Sequence, residues 1–240
     1  MENQPVGTLP RTGMSAAPAG FAIALVLSAL VYAIGETVTA RAWSTPAYSY
    51  SANYVSDLGN PHCAAYDGRI VCSPLHALMN WGFVAQGLLL ACAVLLVGRV
   101  VEGRTRAVVL GIGAATTVGF VLTGATHSSP DAVAQGTLWL HYTGATMAIL
   151  GGNALAIVIS RHWRRLRIPR AVGVAGVVLG AAGIVAALTW LATFGVVPPG
   201  IPERAAVYTF VLWQLLVGGF VLHVTQPFRA LLSRRSRERI

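Results

Sequence analysis

Three histidines and three carboxylates stand out by type and by position: His76, His127 and His141, with Asp57, Asp131 and Glu203. Imidazole nitrogens and carboxylate oxygens are the usual ligands of a hydrolytic zinc site, where one coordination position stays open for water. His76, His127, His141 and Asp131 are therefore candidate metal ligands, and zinc is a candidate cofactor. In that reading Asp57 or Glu203 activates the attacking water as a general base. No local spacing demands it, since H-E-x-x-H, the E-x-x-H pair and C-x-x-C are all missing from the sequence. The same groups can equally form a hydrogen-bonded lock, or a pocket in which Asp57, His76, Asn80, Glu203 and Arg204 hold a ligand.

Spacing gives these residues some order. His76, Asn80, Phe83 and Gly87 share one face of a helix, and two polar groups on such a face turn toward a partner rather than toward lipid. His141 and Gly144 share another face, where the glycine permits close approach of a neighbouring backbone. Arg204 needs a carboxylate or phosphate for two-pronged pairing. Asp57, Asp131, the adjacent Glu203 and a lipid phosphate are the available partners.

The elements that must position these groups follow from composition. Of 240 residues, 55% are hydrophobic and only 10% charged. A soluble domain carries about 25% charged residues, so a soluble enzyme is excluded. Six apolar segments are long enough to cross a bilayer as helices, at about 16–38, 75–97, 107–125, 137–159, 172–194 and 205–224. The expected architecture is an all-α integral membrane protein, a six-transmembrane-helix bundle. It divides into an N-terminal segment 1–15, a membrane domain 16–226 and a basic tail 227–240.

All 17 basic residues are arginine, against 8 acidic residues, for a net charge of +9. With both termini cytoplasmic, every arginine falls on the inner side except Arg41, Arg69 and Arg204. Glu36, Asp57, Asp67, Asp131 and Glu203 fall on the outer side, so the distribution obeys the positive-inside rule. The arginine-rich tail is expected to meet anionic headgroups at the cytoplasmic surface. It is too short to build a nucleic-acid-binding fold, and no nucleic-acid partner is expected.

One connection is long. Residues 39–74 lie on the outer side, carry Trp43, Tyr48, Tyr50 and Tyr54, and should fold over the bundle. Cys63 and Cys72 both belong to this loop, and an oxidising face makes a disulfide between them the expected state, with free or metal-binding thiols as the alternative. Ser56 or Asp57 would cap a short turn, and Gly59 would supply a left-handed backbone angle.

The segments Asn53–Gly59 (N-Y-V-S-D-L-G), His76–Phe83 (H-A-L-M-N-W-G-F) and Gly200–Arg204 (G-I-P-E-R), with Trp213 and Gln214, carry a family likeness. Over about residues 18–225 the chain resembles the DUF998 family of polytopic bacterial membrane proteins. The resemblance implies a six-helix domain in a bacterial plasma membrane, with no catalytic assignment to transfer. It also implies that Asn53, Asp57, Gly59, His76, Asn80, Glu203 and Arg204 belong to one outer-face constellation. The stretch from Cys63 to Cys72 matches the family pattern less, which places the disulfide outside the common core.

Three functions remain open. A non-catalytic protein would bind a lipid, a small ligand or a partner membrane protein in an outer polar pocket. A metal-dependent hydrolase or transferase would act on a lipid. A small-solute transporter would need a continuous polar path or broken helices at mid-depth.

Overall fold

The computed structural model describes residues 16–193 and 195–225. The expected N-terminal segment 1–15 and basic tail 227–240 lie outside the described residues. Six long helices dominate: α1 (Ala16–Ala42), α2 (His76–Val97), α3 (Gly103–Ala125), α5 (Leu138–Ser160), α6 (Arg170–Ala192) and α7 (Gly200–Thr225). A short helix, α4 (Pro130–Ala134), precedes α5; Ser129 caps it through the Ala132 N–H, and Pro130 occupies its first turn. Each long helix is long and apolar enough to cross a membrane. Ile34, Leu88, Val118, Val185 and Leu212 point outward from the bundle, as side chains facing lipid do.

Three helices extend four or more residues beyond the expected apolar segments. α1 continues four residues past Val38, α3 begins at Gly103, and α7 begins at Gly200, with Pro202 and Glu203 in its first turn. Proline is tolerated there because the first-turn N–H groups have no helical acceptor. Hydropathy marks where apolar residues stop, whereas a helix runs on until its backbone finds another partner.

The long helices form a closed ring in which α1, α2, α3, α5, α6 and α7 each pack on the next and α7 returns to α1, while α5 also touches α7. Small residues set the spacing. A Cβ on Gly119 of α3 would sit 2.7 Å from the Gly144 carbonyl of α5, so the two backbones touch there. Toward the other end of α5, Asn153 donates to the Ala206 carbonyl at 2.9 Å and accepts from the Thr209 hydroxyl at 3.1 Å, tying α5 to α7.

Residues 43–75 fold over one end of the ring. Trp43 is buried against Tyr48, with ring centroids 5.2 Å apart. A 3-10 turn spans Ser56–Gly59. Strands β1 (Ala64–Tyr66) and β2 (Arg69–Val71) form an antiparallel hairpin. Asp67 (φ 49°) and Gly68 (φ 76°) both take left-handed angles at its tip, as a two-residue hairpin turn requires. A disulfide joins Cys63 to Cys72 across the open end of this hairpin.

Candidate functional site

Two guanidiniums, one buried and one half-buried, organise the loop-covered end. Arg204, in the first turns of α7, donates through Nε to Glu36 of α1 at 3.1 Å. Its Nη1 donates to the carbonyls of Tyr50 (2.7 Å) and Asn53 (2.8 Å), and its Nη2 to the Tyr48 hydroxyl. The partner is thus Glu36, not Asp57, Asp131 or Glu203. All three nitrogens are engaged and the residue is only 6% exposed, so no two-pronged face remains for a phosphate. Burial holds the Tyr48 phenol well above its usual pKa, only partly offset by Arg204, and it stays protonated.

Arg69 is the second. It grips Asp57 with two prongs, Nε to Oδ2 at 2.7 Å and Nη2 to Oδ1 at 2.8 Å, while Nη1 donates to the Asp67 carboxylate at 2.8 Å. The hairpin register makes this possible: Tyr66 pairs with Arg69, which turns the guanidinium back over the 3-10 turn. Asp57 is wholly buried and also accepts from the Tyr54 N–H and the Asn53 amide. Burial alone would lower the Arg69 pKa, but the hydrogen bonds and charge of Asp57, then of Asp67, outweigh it and raise it. The Tyr54 ring lies 4.4 Å below the guanidinium.

Asn53 links the two centres, its amide on Asp57 and its carbonyl on Arg204. Glu203 joins them by accepting the Val55 N–H through Oε2. Asn80 of α2 donates to the Gly59 carbonyl at 2.9 Å, fastening the turn to the bundle. Gly59 serves this close approach, since a Cβ there would collide with the Asn80 amide; it is not among the left-handed residues.

The expected zinc site is not formed. Among the described residues no three His, Cys, Asp or Glu side chains converge on a point that could hold a metal ion. His76 turns its Nδ1 to the Ser73 carbonyl, His127 pairs with the Ser129 hydroxyl, and His141 donates to the Thr126 carbonyl. Asp131 pairs instead with His62, at 3.2 Å. Each of the four expected ligands is committed to another partner: His76 and His141 to backbone carbonyls, His127 to a serine hydroxyl and Asp131 to His62. His127 has its pKa lowered, by burial first and then by the neighbouring His62 and His76, against the pull of Asp131.

A cavity of about 340 Å³ lies beside the Arg69 centre. Its roof is Tyr54, Ser56, Asp67 and Arg69 from the outer loop, and Glu203 closes one wall. His141, Tyr142, Ala145 and Ile149 of α5 form a second wall, and Leu188, Trp190 and Leu191 of α6 a third. Further from the loop α5 and α6 pack closely, since a Cβ on Gly180 would sit 2.6 Å from the Asn153 carbonyl; the cavity lies between them on the loop side. Tyr142 (55% exposed) and Leu191 (72% exposed) belong both to the lining and to the outer flank, so the mouth opens between α5 and α6. Below Glu203 and Ala145 the cavity meets a smaller apolar one of about 40 Å³, lined by Tyr32, Phe83, Phe120 and Phe210.

A family model described as protein of unknown function (DUF998) matches residues 15–219. The chain belongs to the DUF998 family. No curated protein and no solved structure matches it. In this DUF998 domain the structure brings Asn53, Asp57, Glu203 and Arg204 together and attaches Asn80 at their edge, while His76 stays with its own loop. Sequence reasoning missed Glu36, Arg69, Tyr54 and Trp190 as members of the DUF998 site. Glu36 carried a usable signal: a carboxylate within an apolar helix needs a cation.

Proposed function

We propose that this protein is a multi-pass protein of a bacterial plasma membrane, with both termini cytoplasmic, that binds an amphiphile in the cavity between α5 and α6. The sidedness is supported by the arginine distribution and by the Cys63–Cys72 disulfide, which belongs on an oxidising face. On this reading the α5–α6 connection, with Arg161, Arg164, Arg165 and Arg167, meets anionic headgroups on the cytoplasmic side.

The observation that carries the binding function is the shape and lining of the 340 Å³ cavity. Its volume falls in the range of small-molecule sites, roughly 300–1,000 Å³. Polar groups gather under the loop, and Ile149, Leu188 and Leu191 continue the wall along α5 and α6 as an apolar surface. An amphiphile entering between two helices meets that order of surfaces. The site residues of this reading are Glu203, Arg69, His141, Tyr54 and Trp190; Asn53, Asp57, Asn80 and Arg204 hold the roof in place.

Native mass spectrometry of protein extracted with its lipids tests this. Bound lipid should persist on the wild type and fall in Ala145→Phe, which fills the space between α5 and Glu203. Equal lipid retention by a folded Ala145→Phe variant would refute the cavity as the site.

A further inference from the structure

We infer that the cavity selects the protonated amine of a cationic amphiphile, through the Glu203 carboxylate. The inference rests on the cavity being a ligand site and adds the sign of the ligand's charge.

The presence of Arg69 in the roof would ordinarily argue for an anion. Its three nitrogens are already committed, two to Asp57 and one to Asp67, so a single Nη2 N–H is left and no two-pronged fork faces a phosphate. Arg204, next in sequence to Glu203, is turned away to Glu36, Tyr48 and the loop carbonyls. Each guanidinium is therefore spent on other carboxylates, and Asp67 remains a second carboxylate on the single charge of Arg69.

Glu203 is the group left over. It is 95% buried, at 5% exposed, and lines the cavity; Oε2 accepts the Val55 N–H, and Oε1 has no hydrogen-bond partner among the described residues. It forms no salt bridge within 4.0 Å among them. A buried carboxylate is costly to hold charged without a counter-ion, and an ammonium entering the space beside it supplies one.

Two further features favour an amine with N–H groups. His141 donates Nδ1–H to the Thr126 carbonyl, at 2.6 Å, so its neutral ring holds Nε2 as an acceptor. Tyr142 and Trp190 add aromatic surface to the same walls, and such surface attracts ammonium groups. Carboxylate, imidazole nitrogen and aromatic faces all suit a primary ammonium, while the apolar α5 and α6 walls take its chain.

The test uses the full-length protein in a non-ionic detergent, with dodecylamine and dodecyl phosphate as probes and native mass spectrometry to count retained adducts. Dodecylamine should be retained one to one, about tenfold or more less by Glu203→Gln, and not by Ala145→Phe. Glu203→Gln keeps an oxygen for the Val55 N–H, so its fold should persist; Leu188→Trp at the mouth replaces Ala145→Phe if that variant does not fold. Preferential retention of dodecyl phosphate, lost on filling the cavity, would overturn the charge assignment and leave the cavity reading intact. Unchanged dodecylamine retention by Glu203→Gln would overturn it as well. Retention of neither probe, or retention indifferent to cavity filling, would bring down both.

Discussion

Arg204 and Glu36 are 168 positions apart in sequence, yet they meet through a hydrogen bond of 3.1 Å between the first turns of α7 and the last turns of α1. Tyr208, one turn further along α7, donates to the same Glu36 oxygen at 2.9 Å. The pair closes the ring of helices where its last member returns to its first. It also holds the loop, since the same guanidinium binds the carbonyls of Tyr50 and Asn53. The cavity roof is thereby positioned by a group that does not itself line the cavity.

Breaking the second centre should be costly. Asp57→Asn leaves the Arg69 guanidinium without its buried counter-charge, for an expected loss of about 3–5 kcal/mol. Thermal unfolding in detergent would read this as a lower midpoint. The double variant Asp57→Asn, Arg69→Met should recover much of the loss, because neither charge is then stranded. A double variant no more stable than Asp57→Asn would show that Arg69 acts through other contacts.

The hairpin disulfide should add stability to the loop. Its cysteines are nine positions apart, and closing a loop of that size stabilises by roughly 2–3 kcal/mol in the chain-entropy account. Alkylation of the denatured, unreduced protein should modify Cys92 alone. Cys63→Ser with Cys72→Ser should increase proteolysis within 43–75 and leave the helices protected.

Acid should weaken the protein at His127. Burial and the nearby His62 and His76 place its folded-state pKa below 6.5, so the unfolded chain binds the proton more readily. The stabilising contribution is complete above the unfolded value and is lost as pH falls from about 6.5 through the folded one. Unfolding midpoints from pH 7.5 down to 5 should therefore decline less in His127→Gln than in wild type. Equal slopes would assign the acid sensitivity elsewhere.

Tight packing of α3 on α5 should be intolerant of bulk. A side chain at Gly119 meets the Gly144 carbonyl and the Ala148 amide, both backbone and both nearer than 3 Å. Gly119→Leu should destabilise by about 1–3 kcal/mol through overpacking. Gly82, which has open space at its Cβ position, should accept alanine with no loss, and a denaturation series on both would show the contrast.

Residue types alone were sufficient for some of the site. Asp57, Glu203 and Arg204 were recognisable because polar groups in a largely apolar chain must be buried against one another or lie at an interface, while Asn53 came only from the family resemblance. The Cys63–Cys72 disulfide was legible from two cysteines sharing one loop. The zinc expectation failed on a different ground: histidine type says that a ring can coordinate, and only the surroundings show that each ring already serves a turn. Arg69 was overlooked because an arginine in a loop looks like a solvated charge until the hairpin register turns it inward.

Six helices followed from the chain itself, though not where each ends, since a bilayer imposes a minimum apolar length and requires backbone groups to bond within each segment. Partner choice did not. Whether Arg204 meets Glu36, Asp57 or Asp131 depends on which helices adjoin in the ring, and the cavity depends on where α5 and α6 part. Those are properties of distances between segments remote in sequence, set by glycine contacts and by a folded loop, and local residue patterns carry no record of them.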